Sequence, residues 1–212
     1  MKLLLDNNAD ANVRRTDDGA TPLYVAACNG HLKVAKLLLE NNADVNASSH
    51  TNDATPLHIA AEKGHTEVVK LLLSNNADIN ACRHTDRATP LYVAACSGNV
   101  EVVKVLLDND ADVNAGRHTG ATPLYIAAQH GHTEVVTLLF KSNADANASR
   151  HRDGVTPLYI AAQEGHTEVM KLLLDNNAKV NASRTDNGAT PLYIAAQSGH
   201  TEVVKMLLKK QC

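Results

Sequence analysis

Residues 122–139 read TPLYIAAQHGHTEVVTLL, and near copies of this stretch run through the whole chain. Its opening Thr-Pro-Leu occurs six times, at intervals of 34, 34, 33, 34 and 34 residues. The copies begin at Thr21, Thr55, Thr89, Thr122, Thr156 and Thr190. A fixed period of this size indicates one supersecondary unit that is copied and stacked, rather than a single globular core.

The first half of each copy carries the signals of a short helix. In the second copy, Thr55 is a natural N-cap because its hydroxyl can accept from the free amides of the first turn. Pro56 follows at the first helical position, where a missing N–H does no harm. Ala60 and Ala61 are small enough for neighbouring helices to approach closely, and Gly64 is expected to end the helix.

The second half of each copy predicts an apolar helix that begins near residues 65–67. Only Glu67, Lys70 and Ser74 are polar along it, so nearly its whole circumference must be covered by neighbours. Isolated helices of about ten residues are marginal in water, so each repeat depends on the next one. We expect the helix to end in a left-handed residue, for which Asn is the usual substitute for Gly. That position holds Asn8, Asn42, Asn76, Asp110, Asn143 and Asn177.

Composition narrows the class of protein. Hydrophobic residues make up 44% of the 212 residues, aromatics only 3%, and Trp is absent, so we expect an aliphatic core. A net charge of −3 gives no general attraction to nucleic acid or to an anionic membrane. No apolar stretch approaches the length of a membrane span, and the first residues are too short a run for a signal peptide.

The four cysteines, Cys28, Cys82, Cys96 and Cys212, form no CxxC pair and no metal-binding spacing. Cys28 and Cys96 occupy the same position two repeats apart, which is roughly 20 Å if packed helices lie about 8–10 Å from each other. A disulfide requires Cα atoms within about 7 Å. We therefore predict free thiols and an intracellular location, in the cytoplasm or nucleus.

The repeated residues resemble the ankyrin repeat, whose pattern is roughly G-x-TPLHxAA-xxGHxEVVxLLLxxGADVNA. The fourth and sixth full copies match it as GATPLYIAAQ followed, after one residue, by GHTEVV. The resemblance implies an all-α repeat solenoid of stacked helix-turn-helix repeats joined by β-hairpin fingers, without a central sheet. It covers a single solenoid over 1–212, divided into a partial repeat at 1–12, repeats at 13–46, 47–80, 81–114, 115–147 and 148–181, and a C-terminal repeat at 182–212. Because the chain starts inside a repeat, we expect it to be an excerpt of a longer array.

One departure from the family pattern concerns the histidine of TPLH. Tyr replaces it in five copies, and only His58 remains. In the family this histidine joins adjacent repeats by hydrogen bonds, whereas a Tyr can fill the space with its ring and keep a polar tip. The substituted positions are Tyr24, Tyr92, Tyr125, Tyr159 and Tyr193.

A Gly-His-Thr-Glu sequence recurs with its histidine at His65, His132, His166 and His200. One set per repeat, about 10 Å from the next, gives no convergent cluster for catalysis or metal binding. We interpret His and Thr as shaping the turn between helices, and Glu as favouring the helix N-terminus. No phosphate-binding glycine loop or nucleophile motif is present, so we expect no enzymatic activity, no cofactor and no metal.

Arginine and lysine are segregated along the chain. All eight arginines lie in the finger segments: Arg14, Arg15, Arg83, Arg87, Arg117, Arg150, Arg152 and Arg184. All twelve lysines lie outside the fingers. Because Arg offers a planar fork of donors suited to carboxylate or phosphate, a row of them can bind a partner. Alternatively the arginines only solubilise the fingertips, or repeat one ancestral copy. Six finger aspartates and the lack of aromatic stacking residues disfavour nucleic acid.

A second candidate set consists of the two residues that follow each Ala-Ala, here called the slot residues. They are Cys28, Asn29, Glu62, Lys63, Cys96, Ser97, Gln129, His130, Gln163, Glu164, Gln197 and Ser198. In ankyrin-like stacks these residues and the fingers line the concave face, where family partners usually bind. Neutral drift on a solvated surface is the alternative explanation of their variability.

A covalent modification is also implied by the resemblance. Asn46, Asn80 and Asn114 match the position hydroxylated in some ankyrin proteins by an oxygenase. The alternative is that this Asn hydrogen-bonds the backbone of its own hairpin.

Two functional hypotheses follow. The favoured one is a monomeric scaffold for protein–protein interaction that binds a polypeptide with an extended acidic segment along the concave face, without nucleic acid or membrane. The alternative is a spacer or targeting array in a larger protein, for example a host-directed effector, whose activity lies elsewhere.

Overall fold

The computed structural model describes residues 9–209, so predictions that concern Asn8, Cys212 or the partial repeat up to residue 8 lie outside the described residues. Within that range the chain forms twelve α-helices and no β-strand. The first six are α1 (Pro22–Cys28), α2 (Leu32–Glu40), α3 (Pro56–Lys63), α4 (Thr66–Ser74), α5 (Pro90–Ser97) and α6 (Val100–Asp108). The others are α7 (Pro123–His130), α8 (Thr133–Lys141), α9 (Pro157–Glu164), α10 (Thr167–Asp175), α11 (Pro191–Gln197) and α12 (Thr201–Lys209).

Residue contacts cluster into two units, Met1–Asp112 and Val113–Cys212, and each contains three helix pairs of the same design. The odd-numbered helix of a pair is its first helix, and the even-numbered helix is its second. The all-α repeat architecture is confirmed, whereas the exact repeat boundaries remain predictions.

Threonine caps every first helix as predicted. The hydroxyl of Thr55 accepts from the amide of His58, three residues on, and Pro56 occupies the first helical position. The other five first helices have the same arrangement, with Thr21, Thr89, Thr122, Thr156 and Thr190 as caps. At the other end of α3, Gly64 has a φ of +77°, which only glycine adopts without strain.

Asparagine ends the second helices by a hydrogen-bonded motif. After α4, Asn76 adopts a φ of +63°, and the amide of Ala77 donates to the carbonyl of Leu72 at 3.0 Å. This bond closes the helix end in the pattern of a Schellman motif. The preceding Asn75 adds a side-chain bond from Nδ2 to the carbonyl of Leu71 at 2.8 Å. The left-handed conformation is confirmed at Asn42, Asn76, Asp110, Asn143 and Asn177.

The core lies between successive helix pairs. Within each unit, first helices pack on the first helices of neighbouring repeats, as α3 does on α1 and α5. The Ala-Ala pair is buried in α1, α3, α5, α7 and α9, whereas Ala196 in α11 is exposed. Along α4, Val68, Val69 and Leu72 are buried, whereas Leu71 and Leu73 are only half-buried. The second helices are therefore covered less completely than their apolar circumference predicts.

The fingers are hydrogen-bonded turns rather than regular hairpin strands. In the third finger, the amide of Arg83 donates to Ala88 O at 3.1 Å and the amide of Arg87 donates to Arg83 O at 2.7 Å. Successive fingers are joined by single backbone bonds, such as His151 N to Thr119 O at 2.8 Å. One or two bonds per finger are too few for a ladder, so no strand forms among residues 9–209.

Candidate partner-binding face

The slot residues stand at the C-terminal ends of the first helices, where the scaffold uses their backbone. The ring Nε2 of His65 donates to the carbonyl of Cys28, one repeat earlier, at 3.0 Å. His166 and His200 make the same bond to the carbonyls of Gln129 and Gln163, at 3.0 and 2.9 Å. The repeated histidine therefore holds the preceding repeat in place, which is a structural role.

Asn99 shows that the position requires a donor rather than an imidazole. It replaces the repeated histidine in the third repeat, and its Nδ2 donates to the carbonyls of Ala61 and Glu62, both at 2.8 Å. In each repeat the first slot residue is half-buried and the second exposed, except that Gln197 and Ser198 are both exposed. The histidine bond thus fixes the slot backbone and leaves the slot side chains facing solvent.

Four finger arginines form ion pairs inside their own finger. Arg83 donates two hydrogen bonds to Asp86, from Nε to Oδ1 at 3.0 Å and from Nη2 to Oδ2 at 2.5 Å. Arg150 pairs with Asp153 at 2.8 Å, and their side chains are 34% and 11% exposed. The same pairing joins Arg15 to Asp18 and Arg184 to Asp186. The Arg15 guanidinium, by its hydrogen bond, lowers the pKa of Asp18 to about 2.

The remaining arginines differ in their burial and in their hydrogen bonds to the rest of the chain. Arg14 donates to Ser48 O at 2.6 Å, which joins two fingers. Arg117 is half-buried. Arg87 and Arg152 are exposed, and their guanidinium groups make no hydrogen bond or ion pair with any residue in the described range 9–209. These two are the arginines that remain available to a partner.

Most of the described lysines lie on the second helices, where several pair with glutamates; Lys63 lies on α3, and Lys179 follows α10. Lys70 bonds Glu67 at 2.7 Å, and Lys171 bonds Glu168 at 2.5 Å, each one turn away on the solvent side. The segregation seen in the sequence therefore separates most lysines, on the second helices, from the arginines of the fingers, although Lys63 is a slot residue. Second helices carry Lys–Glu pairs, and fingers carry Arg–Asp pairs.

Tyrosine at the former histidine position contacts an arginine of the next finger. Tyr125 is 3% exposed, and its hydroxyl accepts from Arg150 Nη1 at 3.2 Å. The guanidinium also lies over the Tyr125 ring, 5.8 Å from the centroid, and Arg184 lies over the Tyr159 ring at 6.0 Å. Burial raises the pKa of Tyr125 above its usual value, so the hydroxyl stays protonated. The Tyr125 ring fills the space and keeps a polar tip, as expected from the sequence, and the tip also bonds an arginine of the next repeat.

His58 keeps the family arrangement. Its ring is 1% exposed, with Nε2 3.0 Å from Ala88 O and Nδ1 2.9 Å from Thr55 Oγ1. Because the amide of Thr55 also donates to Nδ1, the geometry assigns the proton to Nε2. Burial lowers the pKa of His58 to about 4.

The asparagines of Asp-Val-Asn and Asp-Ile-Asn form a ladder of hydrogen bonds between repeats. Asn46 Oδ1 accepts from the amide of Asp78, and Asn80 Oδ1 from the amide of Asp112, both at 2.9 Å. Asn114 accepts from Asp145 at the same distance. Sequence reasoning placed this bond within a single hairpin, but the donor lies in the following repeat. Hydroxylation of these residues stays a prediction.

The described residues contain little that suggests other chemistry. Cys28, Cys82 and Cys96 are free thiols. Among residues 9–209, no cluster of His, Cys, Asp and Glu is arranged to hold a metal ion. None of the described helices has the length and apolarity needed to cross a bilayer.

Comparison with protein families agrees with this geometry. A family model described as ankyrin repeats in three copies matches residues 1–83, 81–150 and 142–212. The chain belongs to the ankyrin repeat family. Ankyrin repeats are generally modules for protein–protein interaction and typically lack enzymatic activity. A search of curated proteins gave no match to the chain.

Proposed function

We propose that this chain is a scaffold that binds an extended polypeptide along the face formed by the slot residues and the fingertips. We further propose that the chain acts as a monomer. We place it in the cytoplasm or nucleus, because free thiols such as Cys28, Cys82 and Cys96 are typical of reducing compartments. The partner segment is acidic, because the fingers are the arginine-rich part of the ankyrin surface.

The observation that carries the proposal is that the slot residues contribute to the stack through their backbone and not through their side chains. The histidine of the next repeat bonds the backbone carbonyl of Cys28, Gln129 or Gln163, so the side chains at these positions can differ without breaking that bond. A surface on which structure is held by the backbone and chemistry varies by side chain suits selective recognition.

The same reasoning identifies which finger arginines test the proposal. Replacing Arg83 or Arg150 would also leave Asp86 or Asp153 without its ion-pair partner. Because these aspartates are largely buried, a loss of binding could then reflect a disturbed finger. Arg87 and Arg152 have no such internal partner in the described part of the chain. Their replacement by Gln removes a charge and leaves the finger pairs intact.

The experiment is to capture a partner with the whole chain and map its footprint by hydrogen exchange. Protection should fall on the slots and fingers, and Gln163→Glu should weaken binding, because it adds a negative charge to the face that holds an acidic segment. Lys104→Glu, on the exposed side of α6, is the control and should leave the affinity unchanged. Salt should weaken binding, because exposed charges are screened beyond about 8 Å at physiological ionic strength.

A footprint on the second helices, or equal effects of Gln163→Glu and Lys104→Glu, would contradict the proposal. If no protein is retained on any face, the alternative of a spacer or targeting array in a larger protein gains support.

A further inference from the structure

A polar cleft of about 570 Å³ opens within the unit Val113–Cys212, beside the finger that precedes α9. Its walls include Arg150 and Arg152 from that finger, Arg184 from the next finger, and the slot residues Gln129 and Gln163 at the ends of α7 and α9. The cleft therefore combines two classes of residue that the sequence marked separately.

Two of the three arginines are neutralised and fixed in place. Arg150 is held by Asp153 at 2.8 Å and by the Tyr125 hydroxyl at 3.2 Å. Arg184 is held by Asp186 through bonds of 2.8 and 2.5 Å. These pairs form a rigid frame around the opening before any ligand arrives.

Arg152 is the cation that remains. Among the residues that line the cleft, three arginines and the two aspartates Asp153 and Asp186 leave one unbalanced positive charge. Glu164 lies beside the lining and accepts from Gln163 Nε2 at 3.1 Å. Arg152 is exposed, and no residue in the described range pairs with its guanidinium. The unbalanced positive charge is therefore on the Arg152 guanidinium. A single uncompensated guanidinium matches a monoanion. A dianion such as phosphate would place its second charge against the two aspartates.

The two glutamines add recognition of a different kind. The backbone carbonyls of Gln129 and Gln163 already accept from His166 and His200, which fixes the start of each side chain. A Gln amide carries two N–H donors and an acceptor oxygen. One donor of Gln163 bonds Glu164 Oε1, which leaves its second N–H and its oxygen for a peptide group. Two Gln amides in successive repeats suit an extended backbone that passes from one slot to the next.

We propose that this cleft binds the carboxylate of an Asp or Glu side chain in an extended polypeptide. Arg152 forms the ion pair, and Gln129 and Gln163 bond the flanking peptide groups. The inference rests on the proposed function, since it names the anchor point of the acidic partner within the same face.

The test is a nuclear magnetic resonance titration of the whole chain with a capped peptide, acetyl-Gly-Ser-Glu-Ser-Gly-amide. Saturable shifts are expected at the Arg152 Nε–H and at the side-chain amides of Gln129 and Gln163. The same peptide with Gln in place of Glu should bind at least about tenfold more weakly, as expected for the loss of one charge-assisted bond.

Variants separate the cleft from general electrostatics. Arg152→Gln should weaken binding of the Glu peptide by about tenfold. Lys104→Gln removes the same charge from the second-helix surface and should change nothing. Arg87→Gln removes it from a finger outside the cleft and should have a much smaller effect than Arg152→Gln.

Three outcomes would overturn the cleft proposal: equal binding of the Glu and Gln peptides, equal losses for Arg152→Gln and Arg87→Gln, or tighter binding of a phosphoserine peptide. The footprint of a captured partner tests the proposed function by itself. If the partner protects the slot residues but Arg152→Gln leaves peptide binding unchanged, the cleft proposal is rejected and the proposed scaffold function stands.

Discussion

His58 occupies the position where the other five repeats carry tyrosine, and it is the residue most sensitive to pH. Its ring is buried between Thr55 and Ala88, with Arg83 and Asp86 as the nearest charges. Burial is the main cause of the low pKa, about 4, and Arg83 lowers it further while Asp86 raises it. Because the unfolded chain binds this proton more readily, stability is full above the ordinary histidine pKa near 6.5 and falls as the pH drops towards 4.

This gives a prediction for His58→Tyr, which installs the residue that the other repeats use. The native chain should lose about 2 kcal/mol more unfolding free energy than the variant between pH 7 and pH 5. Urea melts of both proteins at the two pH values measure the difference. The comparison cancels the carboxylates that titrate in the same range, and equal losses in both proteins would show that His58 is not the sensor.

The asparagine ladder gives a second prediction at this scale. Asn80→Ala removes the acceptor for the amide of Asp112 in the next repeat, so the free energy of unfolding should fall by about 1 kcal/mol. Ser97→Ala, on an exposed slot, should stay within about 0.5 kcal/mol of the native chain. Denaturant melts decide between them, and an unchanged midpoint for Asn80→Ala would mean that water replaces the bond without loss.

Residue-scale features were predictable only where the cause is local. Thr55, Pro56 and Asn76 were predicted because caps and left-handed residues depend on a few neighbouring positions. The partners of Asn80 and His65 were missed, since each bonds a residue more than thirty positions away. The only available signal was the recurrence of Asn and His at a fixed place in every copy, which does not say what they touch.

At the scale of elements, each helix is stable through its neighbours. On α4, Leu72 is fully buried, whereas Lys70, two residues earlier, is exposed and pairs with Glu67. Leu72→Ala should therefore cost about 2–5 kcal/mol, and Lys70→Ala no more than about 0.5 kcal/mol. Denaturant melts that rank these variants in the opposite order would show that the buried face of α4 is misassigned.

The candidate site was also predicted unevenly at this scale. The sequence placed arginines in the fingers and variable residues at the slots, and both lie where expected relative to their helices. It could not show that Arg15, Arg83, Arg150 and Arg184 are engaged by aspartates within their own fingers. Charge composition counts such pairs as available charges, because only the fold of the finger turns each aspartate towards its arginine. The β-hairpin fingers were inferred from turn residues alone, and the backbone bonds of residues 9–209 show them as turns without regular strands.

At the scale of the molecule, burial depends on having a neighbour on both sides. Ile59 is 8% exposed between two first helices, whereas its counterpart Val25, in the first described helix, is 43% exposed. At the other end Tyr193 is 61% exposed, against 3% for Tyr159 one repeat earlier. Equivalent positions thus change their environment with the number of adjacent repeats, as nearest-neighbour stability requires.

The last prediction follows from this dependence. Leu173 is fully buried in α10, which packs against α8 and α12. In a chain stabilised by neighbour interactions, Leu173→Ala should speed amide exchange most in α8 to α12 and much less in α2 and α4. Hydrogen exchange followed helix by helix in the native conditions measures this gradient. Leu38→Ala, an equally buried change in α2, is the matched control and should reverse the pattern. A uniform rise in all twelve helices for both variants would mean that the chain opens as one cooperative unit, and that stability is not transmitted mainly from repeat to repeat.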